Sequence, residues 1–252
     1  RLEISDIGVD LQIKEEFSLP KDIIQSPEIQ EAVKKAIISN LQYDHIDRAL
    51  QIKEELSLPK DIIQSPEIQK AAQEAIISNL GRHGHIDRAL QIKEEFSLPE
   101  EMVQEAAKKA IISNLKDGHI DVTLKIKEKF SLPEEIAQEA VKEGIINALK
   151  NGNVNIDNIL KIKEQFSLPE NFMQLPEFQG AAKEAMINGL KNGEIDTALE
   201  IKEKFSLPEK IIYSPEVQKI VKAAKIFYHV EVGFLEEENI SIEKLTEEEL
   251  AE

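Results

Sequence analysis

The sequence predicts an all-α fold, an α-solenoid of about six tandem helical-hairpin repeats of 34–40 residues, some carrying an extra short helix. Three observations point there. The tripeptide Ser-Leu-Pro recurs at Ser18, Ser57, Ser97, Ser131, Ser167 and Ser206. Each copy follows an Ile-Lys-Glu segment and precedes an apolar, Ala-rich one. Within those segments apolar residues fall three and four apart, the period of a helix with one buried face. Repetition at this interval marks an array whose units stack, because one helical pair cannot bury its own apolar stripe.

The copies are close to identical where it matters. Ile46 to Leu56 and Ile86 to Phe96 share ten of eleven residues. The first helix of a unit shows Ile29, Ala32, Val33, Ala36, Ile37 and Leu41. The second shows Ile86, Ala89, Leu90, Ile92 and Phe96, with Lys93, Glu94 and Glu95 on the outer side. Between them stand Gly84, Gly118, Gly152 and Gly193, the residue a helix C-terminus prefers.

The interval between copies varies for a local reason. Copies at 18, 57, 167 and 206 carry a Ser-Pro-Glu-like helix start such as Ser26-Pro27-Glu28, where Ser caps, Pro fits the first turn and Glu meets the positive end. Those copies should hold a short separate helix, as at residues 20–25. Copies at 97 and 131 lack these five residues, so the two helices should fuse, from about residue 99 to 115 in the first case. Ser97, Ser131, Ser167 and Ser206 precede Glu100, Glu134, Glu170 and Glu209 by three residues, the spacing of a capping box.

Residues 1–234 read as the array, with an incomplete first repeat that opens in a degenerate second helix at residues 10–17. Residues 228–234 are the only stretch with a trace of strand alternation. Residues 235–252 hold eight Glu against one Lys and read as an acidic C-terminal cap or tail. The chain has no cysteine, which excludes disulfides and thiol chemistry and favours a reducing compartment, so the cytoplasm is the expected location. No apolar run has the length of a membrane span. The net charge of −17 disfavours a nucleic-acid partner, because phosphate affinity scales with the cations set against it.

Residues Ala185 to Phe205, and within them Lys191-Asn-Gly-Glu-Ile-Asp-Thr-Ala-Leu199, resemble the centre of tetratricopeptide and pentatricopeptide repeats. Both families join two antiparallel helices through such a stretch. The resemblance implies a helical-hairpin array with first helices lining an inner face. Its pentatricopeptide branch implies RNA reading by polar side chains on the first helix. The matching positions here hold Ala36, Ala75, Ala110, Gly144 and Ala185, none able to bond a base edge. The extra short helix and the Ser-Leu-Pro hinge depart from both families.

Candidate chemistry is sparse. His45, His85 and His119 occupy one inter-helix position, where Asn155 and Glu194 stand in other copies. Sites a repeat apart lie about 10 Å from each other and share no ion, so loop or cap residues are expected even around His83 and His85. The repeated pairs Lys53-Glu54, Lys93-Glu94, Lys127-Glu128, Lys163-Glu164 and Lys202-Glu203 read as a solvated edge or as contacts between repeats. Ser39-Asn40, Ser78-Asn79 and Ser113-Asn114 read as helix-end hydrogen bonding or as a polar ladder for a partner's backbone. No phosphate loop, catalytic constellation, metal set or cofactor motif stands out.

The expected function is therefore a non-enzymatic scaffold that binds a protein or peptide. An RNA-binding repeat protein and a structural subunit of a larger assembly, with end-to-end self-association, are the alternatives. Contact candidates are outward side chains of the first helices: Gln30, Lys34, Lys35, Gln73, Lys108, Lys142 and Lys183.

Overall fold

A computed structural model describes residues 26–56, 58–82, 84–152 and 155–222 of the chain. Among these residues the fold is all-helical, with no strand. The chain forms two compact units, Arg1–Ala181 and Ala182–Glu252. The degenerate helix at 10–17, the short helix at 20–25, the stretch at 228–234 and the acidic segment 235–252 lie outside the described residues.

In chain order the helices are α1 (Pro27–Gln42), α2 (Ile46–Glu55), α3 (Lys60–Ile63), α4 (Pro66–Arg82), α5 (Ile86–Glu95), α6 (Glu100–Lys116), α7 (Ile120–Lys129), α8 (Glu134–Lys150) and α9 (Ile156–Gln165). There follow a 3₁₀ turn at Glu170–Gln174, α10 (Pro176–Lys191), α11 (Ile195–Lys204) and α12 (Glu209–Ile212), with residues 215–222 again helical. The length rule holds. Long copies carry a separate α3 or α12, or the 3₁₀ turn, while the short copies fuse into the single helices α6 and α8.

In the first unit each first helix packs on its own second helix, as in α1 with α2, α4 with α5 and α6 with α7. First helices also pack on one another in succession, α1 on α4, α4 on α6 and α6 on α8, while α5 meets α7. The buried stripe of α6 is Val103, Ala106, Ala107, Ala110, Ile111, Asn114 and Leu115, a three-four spacing along one face. Small residues bring the first helices close. A Cβ added to Gly144 of α8 would meet Leu115 Cδ1 at 2.7 Å and Leu115 Cβ at 3.0 Å.

Phenylalanine is scarce yet structurally prominent. Phe96, Phe130, Phe166 and Phe205 sit at the C-caps of α5, α7, α9 and α11 and are among the largest fully buried side chains. Each such burial contributes about 2–3 kcal/mol. Phe172 of the 3₁₀ turn meets Phe178 of α10 edge to face, with ring centroids 5.0 Å apart.

The capping-box expectation is corrected. Ser97, Ser131, Ser167 and Ser206 do not cap the helix that follows; they end the one before. Their φ values of 47–49° lie in the left-handed region. Ser97 N–H donates to the Glu94 carbonyl and Leu98 N–H to the Lys93 carbonyl, both at 3.1 Å, which is a Schellman closure with serine where glycine is usual. Leu98, Leu132, Leu168 and Leu207 then bury their side chains. Pro99 and Pro133 become the N-caps of α6 and α8, with no side-chain hydrogen bond. The glutamates that suggested a box serve elsewhere: Glu100 pairs with Lys93 at 3.2 Å and Glu134 with Lys127 at 2.7 Å.

The other end of the hairpin uses the same closure with glycine. Gly118, at φ 79°, donates to the Leu115 carbonyl, and His119 N–H donates to the Asn114 carbonyl at 2.7 Å. Asp44, at φ 63°, holds the glycine's place between α1 and α2.

In the second unit α10 and α11 come close at Gly189, where an added Cβ would lie 3.6 Å from the Ala198 Cβ. Gln218 Nε2 donates to the Ile212 carbonyl at 3.0 Å, tying the helix at 215–222 to α12.

Candidate functional site

The polar residues that recur in every copy are largely spent inside the fold. One glutamine opens each first helix: Gln30, Gln69, Gln104, Gln138, Gln179 and Gln218. Gln69 is buried, and its Nε2 donates to the Phe96 carbonyl at 2.7 Å and the Ile63 carbonyl at 3.0 Å. Gln138 Nε2 reaches the Phe166 and Ser167 carbonyls at 3.2 and 3.1 Å. In these two copies the amide clamps the far end of the second helix onto the start of the first. The recurrence was visible in the sequence, but the partner some 27 residues away was not.

Asparagines make a second ladder. Asn114 Nδ2 donates to the Ala110 carbonyl of its own helix at 2.8 Å and to the Leu80 carbonyl of the preceding copy at 2.9 Å. Asn79 Nδ2 donates to the Ala75 carbonyl at 3.0 Å and to Asp44 Oδ1 at 2.8 Å. Both side chains are buried. This ladder joins copies to each other and offers those amides to no outside backbone.

The repeated lysines of the second helices also reach between copies. Lys53 Nζ donates to the Glu95 carbonyl at 2.5 Å and to its carboxylate at 2.6 Å, and lies 5.9 Å from the Phe96 ring centroid. Lys127 stands 5.0 Å from the Phe166 ring centroid. Contact between neighbouring repeats is the role the structure gives these two.

The contact candidates lie on stacked helices in the first unit, with Lys183 in the second. Lys34, Gln73, Lys108, Lys142 and Lys183 share one register position. Lys34 pairs with Glu67 of the next copy at 3.0 Å, Gln73 donates to the Met102 carbonyl at 2.8 Å, and Lys108 pairs with Glu139 at 2.9 Å. Lys183 pairs with Glu216 at 2.6 Å. Lys142 is half-buried with no ion pair among the described residues, Gln30 is half-buried, and Lys35 pairs with Glu31 at 3.4 Å within α1. The lysine partners hold the Glu67, Glu134 and Glu216 carboxyls below the usual glutamate range, and Glu139 raises Lys108.

Four isoleucines flank that row. Ile38, Ile77, Ile112 and Ile146 occupy one position on α1, α4, α6 and α8 and remain half-exposed beside half-exposed Ser39, Ser78, Ser113 and Asn147. The positions that would read a base, Ala36, Ala75, Ala110 and Gly144, are buried instead.

Two open grooves lie on the second-helix side. One of about 500 Å³ is lined by Gly84, His85, Ile86, Asp87, Arg88, Lys125 and Lys129. The other, about 340 Å³, is lined by Gly118, His119, Ile120, Asp121, Val122, Asn158 and Lys161. His45, His85 and His119 are exposed at the N-caps of α2, α5 and α7. Among the described residues no three His, Asp or Glu side chains gather as a metal set, and no helix is long and apolar enough to cross a membrane. Compared with known proteins, the chain matches no family model, no curated protein and no solved structure.

Proposed function

We propose that the chain is an α-solenoid that acts as a non-enzymatic scaffold, binding a protein or peptide partner along an extended surface. The observation that carries this reading is the row Ile38, Ile77, Ile112 and Ile146, one apolar side chain kept half in solvent on each of four consecutive first helices of the first unit, whereas Ile187 at the same register in the second unit is buried. A partner laid across them would cover a repeated apolar ridge with polar Ser and Asn beside it, the mix of apolar centre and polar rim that binding surfaces use. The resemblance to tetratricopeptide repeats supports first helices as the binding side, and a cysteine-free chain suits the cytoplasm.

Affinity capture from the source cells tests it, with the Ile77→Gln/Ile112→Gln variant as comparison. Proteins held by the wild type and lost from the variant, with helicity by circular dichroism unchanged, support the scaffold. Capture that nuclease abolishes would replace it with a nucleic-acid partner.

A further inference from the structure

We propose that the second-helix side of the first unit holds a docking groove for an acidic peptide segment of a partner protein, centred on Lys125, Lys129 and Lys161. The proposal deepens the scaffold reading and rests on it, adding a second surface and the chemistry of what binds there.

Register separates structural from available charge. The lysine before each Glu of the second helix recurs in every copy, and Lys53, Lys93 and Lys127 are engaged by Glu95, Glu100 and Glu134. The position of Lys125 is instead Gln51, Gln91, Lys161 and Glu200 in the other copies, and that of Lys129 is Glu55, Glu95, Gln165 and Lys204. The Lys125 position makes no bond between copies among the described residues, whereas the Lys129 position does so in one copy, where Glu95 holds Lys53. Cations collect there on α7 and α9, and Lys125, Lys129 and Lys161 have no ion pair among the described residues.

These three line the two grooves, which occupy equivalent places in successive copies. Arg88 adds a fourth cation, already held by Asp47 of the preceding copy at 2.7 Å. Facing carboxylates are Asp87 in the first groove and Asp121 in the second, with Asp157 at the same register on α9.

That mixture selects the partner. A long polyphosphate would run from a few lysines onto aspartates in a chain of net charge −17, and its affinity depends on many cations at once. A short peptide can place single carboxylates where the lysines are. Lys125 and Lys129 stand one helical turn, about 6 Å, apart. Lys125 and Lys161 hold one register position on α7 and α9, each lining one of the two grooves. Acidic residues at alternate positions of an extended segment, about 7 Å apart, match the spacing of Lys125 and Lys129, and the segment continues towards Lys161 in the second groove.

The test is fluorescence anisotropy in low salt with a labelled twelve-residue peptide alternating Glu and Ala, its Gln/Ala counterpart, and a twelve-nucleotide single-stranded RNA. The expected result is binding of the Glu peptide alone, weakened about tenfold in Lys125→Glu/Lys129→Glu/Lys161→Glu. A control reversal of the exposed Lys60, Lys70 and Lys150 should change it less than about twofold. Equal loss in the control, equal binding of the Gln peptide, or tighter binding of RNA overturns the proposal. Unchanged thermal unfolding of both triple variants shows that the fold is intact. If the peptide fails while capture still depends on Ile77 and Ile112, the groove falls alone; if that dependence is lost too, the scaffold falls with it.

Discussion

Ser97 carries a side chain in a backbone region that costs L-residues about 1–2 kcal/mol, and it is exposed, so no packing requires it there. Nothing in the structure explains the choice of serine over glycine. Ser97→Gly should relieve the strain and return part of it as unfolded-state entropy, leaving a gain of about 0.5–1 kcal/mol. Urea unfolding measures it, and a loss of stability would show that the hydroxyl has a role the structure does not reveal. The opposite sign is expected at Gln69. Gln69→Ala leaves the buried Phe96 and Ile63 carbonyls without their amide donor, at a cost of about 2–3 kcal/mol. An effect within a few tenths of a kcal/mol would mean that the clamp is idle.

At the scale of the element, fused and split helices are two solutions to one packing problem. Removing residues 65–69 would place Ile63 and Gln64 where Ile68 and Gln69 now stand, just as Val103 and Gln104 precede Glu105 in α6. The fused helix loses one buried isoleucine and the Lys34–Glu67 pair, so the deletion should fold with a penalty of about 2–3 kcal/mol. Removing residues 105–109 from α6 is the contrast, since five residues turn the remainder by about 140° and point its apolar face away. Circular dichroism should show native helicity per residue in the first deletion and collapse in the second. The same element shows what the sequence could and could not carry. Periodicity, the five-residue gap and the glycine turns are local patterns, and they located the helices and the fusion. Ser97 was misread because Ser-x-x-Glu looks alike whether serine opens one helix or closes another; only φ distinguishes them. Lys34 and Lys108 were recognisable as outward residues, but their partners Glu67 and Glu139 belong to the next copy, and no local pattern names them.

For the molecule as a whole, charge both opposes and supports folding. The net −17 repels itself, while Lys34–Glu67 and Lys183–Glu216 fasten consecutive first helices and Lys127–Glu134 spans one hinge. Each glutamate in these pairs has its carboxyl held below the ordinary value of 4.5, mainly by its lysine. A carboxyl depressed in the folded state takes its proton first in the unfolded chain, so its contribution is present above about pH 4.5 and is lost as pH falls through the depressed values. The repulsion runs the other way, because protonating any carboxylate lowers the net negative charge. Glu67→Gln/Glu134→Gln/Glu216→Gln separates the two, since it removes the three paired carboxylates and leaves the others to titrate. Melting temperature followed from pH 7 to pH 3 should start lower in the variant and then fall less steeply below pH 4.5 than in the wild type. Parallel curves would assign the acid response to the unpaired carboxylates alone and leave these ion pairs without a share in holding neighbouring helices together.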